Sequence, residues 1–289
     1  MGGGETGVGE IPQTRPDPAG PPRIWPVALA CLLLFFGMAF VSAASLVLGG
    51  FAKPGSGPSD LPPWSSVTGL VGLAAATTAL IAGLALVPAL LSSETTRVRL
   101  GLVVPRLLGM PVWLVAIAGG LALSQAVDIA LRLSGFGRGL SLESVLGVLR
   151  QARGLGLLAA VLVLGAGAGT AEELFFRGYV QRRLVARFGP VIGVFVAAFL
   201  FALAHLNPQH SAFAFVFGLY LGGLALWCGS TWPAVLVHVV NNTTAVLLAA
   251  TGIDDANTHL PTSVQVGLLL VLALAAAGAA EWVRCRAAR

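Results

Sequence analysis

Charged side chains are scarce in this sequence. Only 10% of its 289 residues are charged and 56% are hydrophobic, whereas about 25% of the residues in a soluble domain are charged. The mean hydropathy is +0.88. So few charges cannot cover the surface of a water-soluble protein of this length, and we expect lipid to be its solvent. The composition predicts an all-α, polytopic membrane bundle.

Lysine is almost absent. Lys53 is the single lysine, so the formal net charge of +5 comes from arginine. The arginines flank apolar runs and do not form a basic domain, which excludes nucleic acid as a partner and favours juxtamembrane positions. The abundance of Ala, Gly, Val and Leu is typical of a GC-rich bacterial genome, so we expect a bacterial plasma membrane.

Paired cysteines and several catalytic signatures are also lacking. Cys31, Cys228 and Cys285 have no paired spacing, so neither a disulfide framework nor a cysteine metal site is expected. The sequence has no HExxH pair of a helical zinc peptidase and no GxSxG serine elbow. It has no GxGD signature either, so three common kinds of hydrolase are not expected.

Apolar runs are what the sequence has in abundance. Crossing the hydrocarbon core takes roughly 20 apolar residues in a helix, and tryptophans fall at or near the ends of these runs, where membrane interfaces favour them. We predict eight helices, at about residues 24–49, 66–91, 109–133, 155–181, 190–206, 211–228, 233–250 and 263–282.

The segments between the runs complete the organisation. Residues 54–63 are predicted to form a loop, and residues 141–150 an interfacial helix. The chain is expected to divide into a disordered Gly/Pro-rich cytoplasmic tail, three N-terminal helices with the interfacial helix, a core that carries the polar residues, and a last helix with a basic C-terminus. These parts are residues 1–23, 24–154, 155–250 and 251–289.

Arginine positions predict the orientation. With eight spans, the clusters at residues 97–106, 182–187 and 284–289 share one side of the membrane, so both termini are expected in the cytoplasm. The loop that contains Arg132, Arg138, Arg150 and Arg153 would then face outside, against the same rule.

Polar residues inside apolar runs are the candidates for function, because a charge at the bilayer centre costs several kcal/mol. Three runs carry them: Glu172, Glu173 and Arg177 in the fourth, His205 in the fifth, and His238 and Asn242 in the seventh. Glu173 and Arg177 are four residues apart, so they are expected to neutralise each other. Glu172 is rotated by about 100° from its neighbour and stays available for chemistry.

These side chains are expected to reach one depth. If the fourth and fifth runs form a hairpin at residues 188–190, Glu172 lies seventeen residues before Gly189 and His205 sixteen after it. Asn242 lies ten residues after Trp232, which places it ~15 Å below the membrane surface. The Asn207–Pro208 step is then predicted to end a helix inside the bilayer, where it lines a protein cavity.

Other polar residues are assigned structural roles. Asp128 and Arg132, four residues apart, are predicted to form an interfacial ion pair. His210 and His259 are predicted to be loop residues, and Asp254 and Asp255 to lie in a solvated turn.

The converging residues fit peptide hydrolysis without a protein nucleophile. A carboxylate beside an imidazole deprotonates water, which suits Glu172 and His205. A second imidazole and an amide donate hydrogen bonds to the oxyanion, which suits His238 and Asn242. A zinc ion held by Glu172, His205 and His238 is the competing assignment.

Three motifs in this order resemble the CPBP family, the type II CAAX prenyl endopeptidases and their bacterial relatives, also called the ABI family. They are EExxxR at Glu172, Glu173 and Arg177, FxxxH at Phe201 and His205, and HxxxN at His238 and Asn242. The resemblance covers about residues 155–250. It implies that Glu172 and His205 activate water, that His238 and Asn242 stabilise the oxyanion, and that no cofactor is needed. It also implies a membrane-associated peptide or protein substrate.

Two other functions remain open. One is a proton-coupled transporter in which Glu172 and His205 relay protons, which the lack of internal repeats disfavours. The other is a non-catalytic membrane interaction or bacteriocin-immunity protein that keeps the fold. Eukaryotic members of the family cleave prenylated proteins, whereas a bacterial origin disfavours a prenylated substrate here.

Overall fold

The computed structural model describes residues 23–48, 65–107, 109–135, 139–253 and 260–288. These residues form helices and loops without a strand, so the predicted all-α bundle is confirmed. We number ten helices: α1 Trp25–Leu48, α2 Val67–Leu90, α3 Thr96–Arg99, α4 Met110–Leu133, α5 Gly139–Leu149, α6 Gly154–Phe188, α7 Pro190–Leu203, α8 Pro208–Cys228, α9 Trp232–Thr251 and α10 Thr262–Ala287.

Seven of these helices are long and apolar enough to cross a membrane: α1, α2, α4, α6, α8, α9 and α10. The predicted eighth span, at residues 190–206, is wrong in length. Its helix α7 has 14 residues, or roughly 21 Å, and ends at Leu203. Pro208 disfavours helical backbone at the residue before it, which accounts for the break that the sequence predicted there.

Some predictions fall outside the described residues. They are the disordered tail up to residue 22, the loop at residues 54–63, the solvated turn at Asp254 and Asp255, and the loop position of His259. The predicted ion pair between Asp128 and Arg132 is present near the end of α4.

The helix predicted at residues 141–150 forms as α5, which begins two residues before the predicted start. Val148 and Leu149 are buried in an apolar cluster with Leu70 of α2 and Val246 of α9. The helix therefore packs against the side of the bundle that carries the first half of α2 and the second half of α9.

A tight hairpin joins α6 to α7 where the sequence predicted it. Gly189 has a φ of 83°, and Pro190 begins the next helix. A Cβ on Gly193 would lie 2.5 Å from the backbone nitrogen of Val185, so only glycine allows the two helices to approach so closely. The antiparallel arrangement places Glu172 and His205 at similar distances along the chain from this turn, seventeen and sixteen residues from Gly189.

Helix α6 is irregular around its acidic residues. Two π-helical segments, Val161–Gly167 and Leu174–Gln181, flank the α-helical stretch Ala168–Glu173. Such π-helical turns are rare and are frequent at functional sites, because they change the direction of nearby side chains. The sequence pattern of apolar residues does not distinguish them from ordinary α-helix.

Glycines set the distance between α6 and α9. A Cβ on Gly165 would lie 2.6 Å from Oγ1 of Thr243, and one on Gly169 would lie 3.1 Å from the backbone nitrogen of Val239. Small residues four apart allow membrane helices to pack backbone to backbone. The contact at Gly169 is next to His238, so it places the imidazole of α9 beside the carboxylates of α6.

Candidate active site

A cavity of about 430 Å³ lies among α2, α5, α6, α8 and α9, with His205 of the α7–α8 link on its wall. All four residues that the sequence proposed as catalytic line it: Glu172, His205, His238 and Asn242. Apolar side chains such as Leu70, Leu146 and Val246 line the part of the cavity that extends toward α5. The cavity thus combines a polar wall with an apolar channel.

Glu173 is the buried anchor of the polar wall. Its side chain is 0% exposed, and its Oε1 accepts a hydrogen bond of 2.7 Å from Nη1 of Arg177. Nη2 of Arg177 donates to the carbonyl oxygen of Gly218 in α8 over 3.0 Å. The predicted Glu173–Arg177 pair therefore forms, and it also ties α6 to α8.

The same carboxylate oxygen holds His238. Nδ1 of His238 lies 2.7 Å from Oε1 of Glu173, and because a carboxylate only accepts, this nitrogen carries the proton. The other ring nitrogen, Nε2, lies 3.7 Å from Oε2 of Glu172. Glu173 therefore fixes the ring orientation, and Nε2 of His238 faces the carboxylate of Glu172.

Glu172 differs from its neighbour in access. Its side chain is 17% exposed and lines the cavity, whereas Glu173 is fully enclosed. Two carboxylates, the Arg177 guanidinium and the His238 imidazole form one charge group.

His205 lies just beyond the end of α7 and lines the same cavity as Glu172. Its Nδ1 lies 2.8 Å from the carbonyl oxygen of Phe201, and a carbonyl only accepts, so Nδ1 carries the proton. In the neutral ring, Nε2 then has the lone pair of a base. His205 also lies beside Leu206, whose φ of 55° is the single positive value among the described non-glycine residues. Strained backbone of this kind is enriched at functional sites.

Phe201 separates and supports the charged groups. Its ring is buried and makes edge-on contacts with His205 at 4.7 Å and with His238 at 5.8 Å between centroids. The guanidinium of Arg177 lies over the same ring, 4.6 Å from its centroid. Phe201 thus contacts both histidines and the guanidinium of Arg177.

The side-chain amide of Asn242 makes only long hydrogen bonds within the described part of the chain. Its Nδ2 donates to the carbonyl oxygen of Leu164 over 3.4 Å, and its Oδ1 accepts from Asn241 over 3.5 Å. Both distances exceed the usual range for such bonds. The amide hydrogen is therefore available to a stronger acceptor in the cavity.

The prediction that His210 is a loop residue is wrong. It lies in the first turn of α8, lines the cavity, and makes a tilted edge contact with His205 at 4.3 Å between ring centroids. The sequence contained the signal, because Asn207 is an N-cap whose Oδ1 accepts from the His210 backbone and Pro208 follows at the first helical position. The helix begins three residues before the predicted start.

The competing assignment is a zinc ion held by Glu172, His205 and His238, and it stays a prediction. Within the residues that the structure describes, no three His, Cys, Asp or Glu side chains converge as metal ligands. Glu172, His205 and His238 share a cavity but do not form such a set.

One comparison with known proteins finds a match. Residues 154–244 match the family model described as type II CAAX prenyl endopeptidase Rce1-like. No curated protein and no solved structure matches the chain. The matched segment runs from the start of α6 into α9 and includes all three motifs. Over residues 154–244, about a third of the chain, the protein is therefore similar to the CAAX-type membrane endopeptidases, which supports the resemblance to the CPBP family that the three motifs indicated.

Proposed function

We propose that this protein is an intramembrane glutamic endopeptidase, in which Glu172 and His205 activate water to hydrolyse a peptide bond of a membrane-associated protein or peptide. The observation that carries the proposal is the shared cavity of about 430 Å³, which Glu172, His205, His238 and Asn242 line together. Its volume falls within the usual range of small-molecule sites and holds a short stretch of extended peptide.

The first step is the attack of water on the peptide carbonyl. Glu172 takes a proton from the water as its oxygen bonds to the carbonyl carbon, and Nε2 of His205 accepts the second hydrogen bond of that water. General-base catalysis of this kind contributes typically 10²–10⁴-fold. The hydrogen bond from Nδ1 to Phe201 favours the tautomer that this role requires.

The second step is stabilisation of the oxyanion. Nδ2 of Asn242 exchanges its long bond to Leu164 for the developing negative charge. His238 already donates from Nδ1 to Glu173, so it donates from Nε2 only as an imidazolium. Glu173 stabilises that cation. One such oxyanion donor is typically worth 10²–10³-fold in kcat.

The last step is release of the amine. The carbon–nitrogen bond breaks as Glu172 returns its proton to the leaving nitrogen, and the oxyanion collapses to a carboxylic acid. All atoms come from substrate and water, so no bond to the protein forms. The apolar part of the cavity, toward α5, accommodates hydrophobic side chains of the substrate.

Comparison of membranes from cells that produce the wild type or a variant tests this function. We expect Glu172→Ala to abolish cleavage, and shifted peptide C-termini in the membrane proteome to disappear with it. Glu94→Gln is the matched control, because Glu94 is exposed and pairs with Arg99. Equal cleavage by Glu172→Ala and wild type would refute the proposal.

Two further measurements separate the competing functions. Ion-dependent uptake that persists in Glu172→Ala while peptide cleavage is absent would favour a transporter. Protection of cells from a bacteriocin by the Glu172→Gln, His205→Ala double variant would favour a non-catalytic immunity protein.

A further inference from the structure

A second cavity, of about 480 Å³, lies between α1 and α2. It shares no lining residue with the cavity of the candidate active site. Its walls are apolar and include Leu29 and Leu33 of α1 and Leu80 and Leu84 of α2. The proposed function makes no use of it.

The length of this second cavity matches one membrane leaflet. On α1 it extends from Trp25 to Leu33 and on α2 from Ala79 to Pro88, which corresponds to roughly 12–14 Å along each helix. Half of a ~30 Å hydrocarbon core is about 15 Å. Trp25, which is 61% exposed, lies at one end, as expected for a side chain at the headgroup layer.

Arginine borders that end of the cavity. Tyr179 lines the cavity, and the guanidinium of Arg183 lies 3.7 Å from the centroid of its ring. Nη1 of Arg183 donates to the carbonyl oxygen of Tyr179 over 2.9 Å. A guanidinium has five N–H donors, and this is the one hydrogen bond that Arg183 makes within the described part of the chain.

The surrounding surface is strongly basic. Residues 94–99 and 182–187 meet there, because Nη2 of Arg182 donates to the carbonyl oxygen of Val98 over 3.4 Å. Together these two segments contain five arginines and one carboxylate, Glu94. Glu94 is already paired with Arg99 at 3.2 Å, so positive charge remains in excess.

The geometry points to a binding site for one anionic glycerophospholipid, with an acyl chain between α1 and α2 and its phosphate on Arg183. Arginine binds phosphate through paired hydrogen bonds that lysine cannot reproduce. The apolar cavity accommodates an acyl chain that is as long as one leaflet is thick, and the basic surface selects a headgroup with net negative charge. Such a lipid fastens α1 and α2 to α6 and stabilises the folded protein through mass action.

Lipid binding to the delipidated, full-length protein in detergent tests this inference. Phosphatidylglycerol and phosphatidylcholine of the same acyl length are added, and bound lipid is counted by native mass spectrometry alongside the thermal unfolding midpoint. We expect one phosphatidylglycerol to be retained with a rise in the midpoint, and phosphatidylcholine to bind at least about tenfold more weakly. Equal retention of both lipids would overturn the inference.

Two pairs of variants locate the lipid. Gly83 lines the cavity, and a Cβ there would meet no atom within 4 Å, so Gly83→Phe fills the cavity and should abolish retention. Gly72, on the same helix, is equally open but outside the cavity, and Gly72→Phe should retain the lipid. Retention by Gly83→Phe would show that the chain does not lie there.

Arg183→Gln tests the headgroup and keeps the inference testable if Gly83→Phe does not fold. It should bind the two lipids about equally, whereas Arg187→Gln, an exposed arginine one turn further along α6, should keep the preference for phosphatidylglycerol. Glycerol phosphate without acyl chains should not displace the lipid. Displacement by glycerol phosphate, or an unchanged preference in Arg183→Gln, would contradict the inference.

Discussion

Nδ1 of His238 lies 2.7 Å from Oε1 of Glu173, and this contact joins the ion pair of α6 to α9. Oε1 also accepts from Arg177 over 2.7 Å, so one buried oxygen serves two helices. Glu173 therefore has two separable tasks, which are to neutralise a buried arginine and to orient an imidazole.

A double variant separates these tasks. Glu173→Ala leaves Arg177 buried without a counter-charge, and we expect a loss of about 3–5 kcal/mol in the free energy of unfolding. In Glu173→Leu, Arg177→Met both charges are gone, and such replacements are often close to neutral for stability. Both variants remove the carboxylate that accepts the hydrogen bond from Nδ1 of His238, so we expect both to be inactive. Thermal unfolding and peptide turnover, measured on the same preparations, check this.

The informative result is the combination of a stable protein with an inactive site. Glu94→Gln again serves as the control, since its pair with Arg99 is exposed. A double variant that cleaves peptide at the wild-type rate would show that Glu173 does not position His238.

The close contact of α6 with α9 gives a second prediction. A Cβ at Gly169 already meets the backbone of Val239 at 3.1 Å and of His238 at 3.3 Å, so Gly169→Val pushes His238 away from the carboxylates. We expect at least about a 10²-fold loss of turnover, because a displacement of 1 Å at a catalytic group costs that much.

Gly278→Val is the matched control, because a Cβ at that exposed position of α10 meets no atom within 4 Å. It should leave turnover and the unfolding midpoint close to wild type. Wild-type activity in Gly169→Val would mean that the two helices separate without disturbing the site.

Much of the arrangement could be predicted from the sequence, because the bilayer imposes strong constraints. Charge scarcity and run length identify membrane helices, and Gly189–Pro190 marks the hairpin that places Glu172 and His205 on the wall of one cavity. The spacing of four between Glu173 and Arg177 predicts their pair. Each of these depends on neighbours in sequence or on helix geometry.

Contacts between distant segments could not be predicted in this way. The bond from Glu173 to His238 spans 65 residues, and nothing local indicates that the structural carboxylate holds the imidazole of α9. The π-helical segments around Glu172 preserve the apolar composition of an ordinary helix. The position of His210 in a helix could have been predicted, because Asn207 and Pro208 are typical of a helix start.

His210 provides a third prediction. Its ring contacts His205 at 4.3 Å between centroids, so in the proposed mechanism it positions the imidazole that assists the water. We expect His210→Ala to lower kcat by about 10- to 100-fold with little change in KM, because a misplaced catalytic group slows the chemical step. His210→Phe keeps an aromatic ring in contact and should restore most of kcat. Equal kcat in both variants would contradict a positioning role.

Natural cysteines test the orientation that arginine counting predicts. Cys285 is exposed near the end of α10, whereas Cys31 and Cys228 are buried. If both termini are cytoplasmic, a thiol reagent that does not cross membranes should label intact bacterial cells weakly and inverted vesicles strongly. Cys285→Ser is the control, which should abolish the signal in both. Strong labelling of intact cells would reverse the orientation.

Metal dependence distinguishes the two mechanisms that the sequence left open. The described His, Cys, Asp and Glu residues provide no set of three converging ligands, and a catalytic zinc ion takes three from the protein. In the proposed mechanism Glu172 acts as the base together with His205, and the reaction needs no metal. We expect turnover to be unchanged after incubation with 1,10-phenanthroline. We also expect elemental analysis of the purified protein to find well below one equivalent of zinc. Loss of activity with the chelator, and its recovery on addition of Zn²⁺ to the wild type, would replace the glutamate mechanism by a metal one.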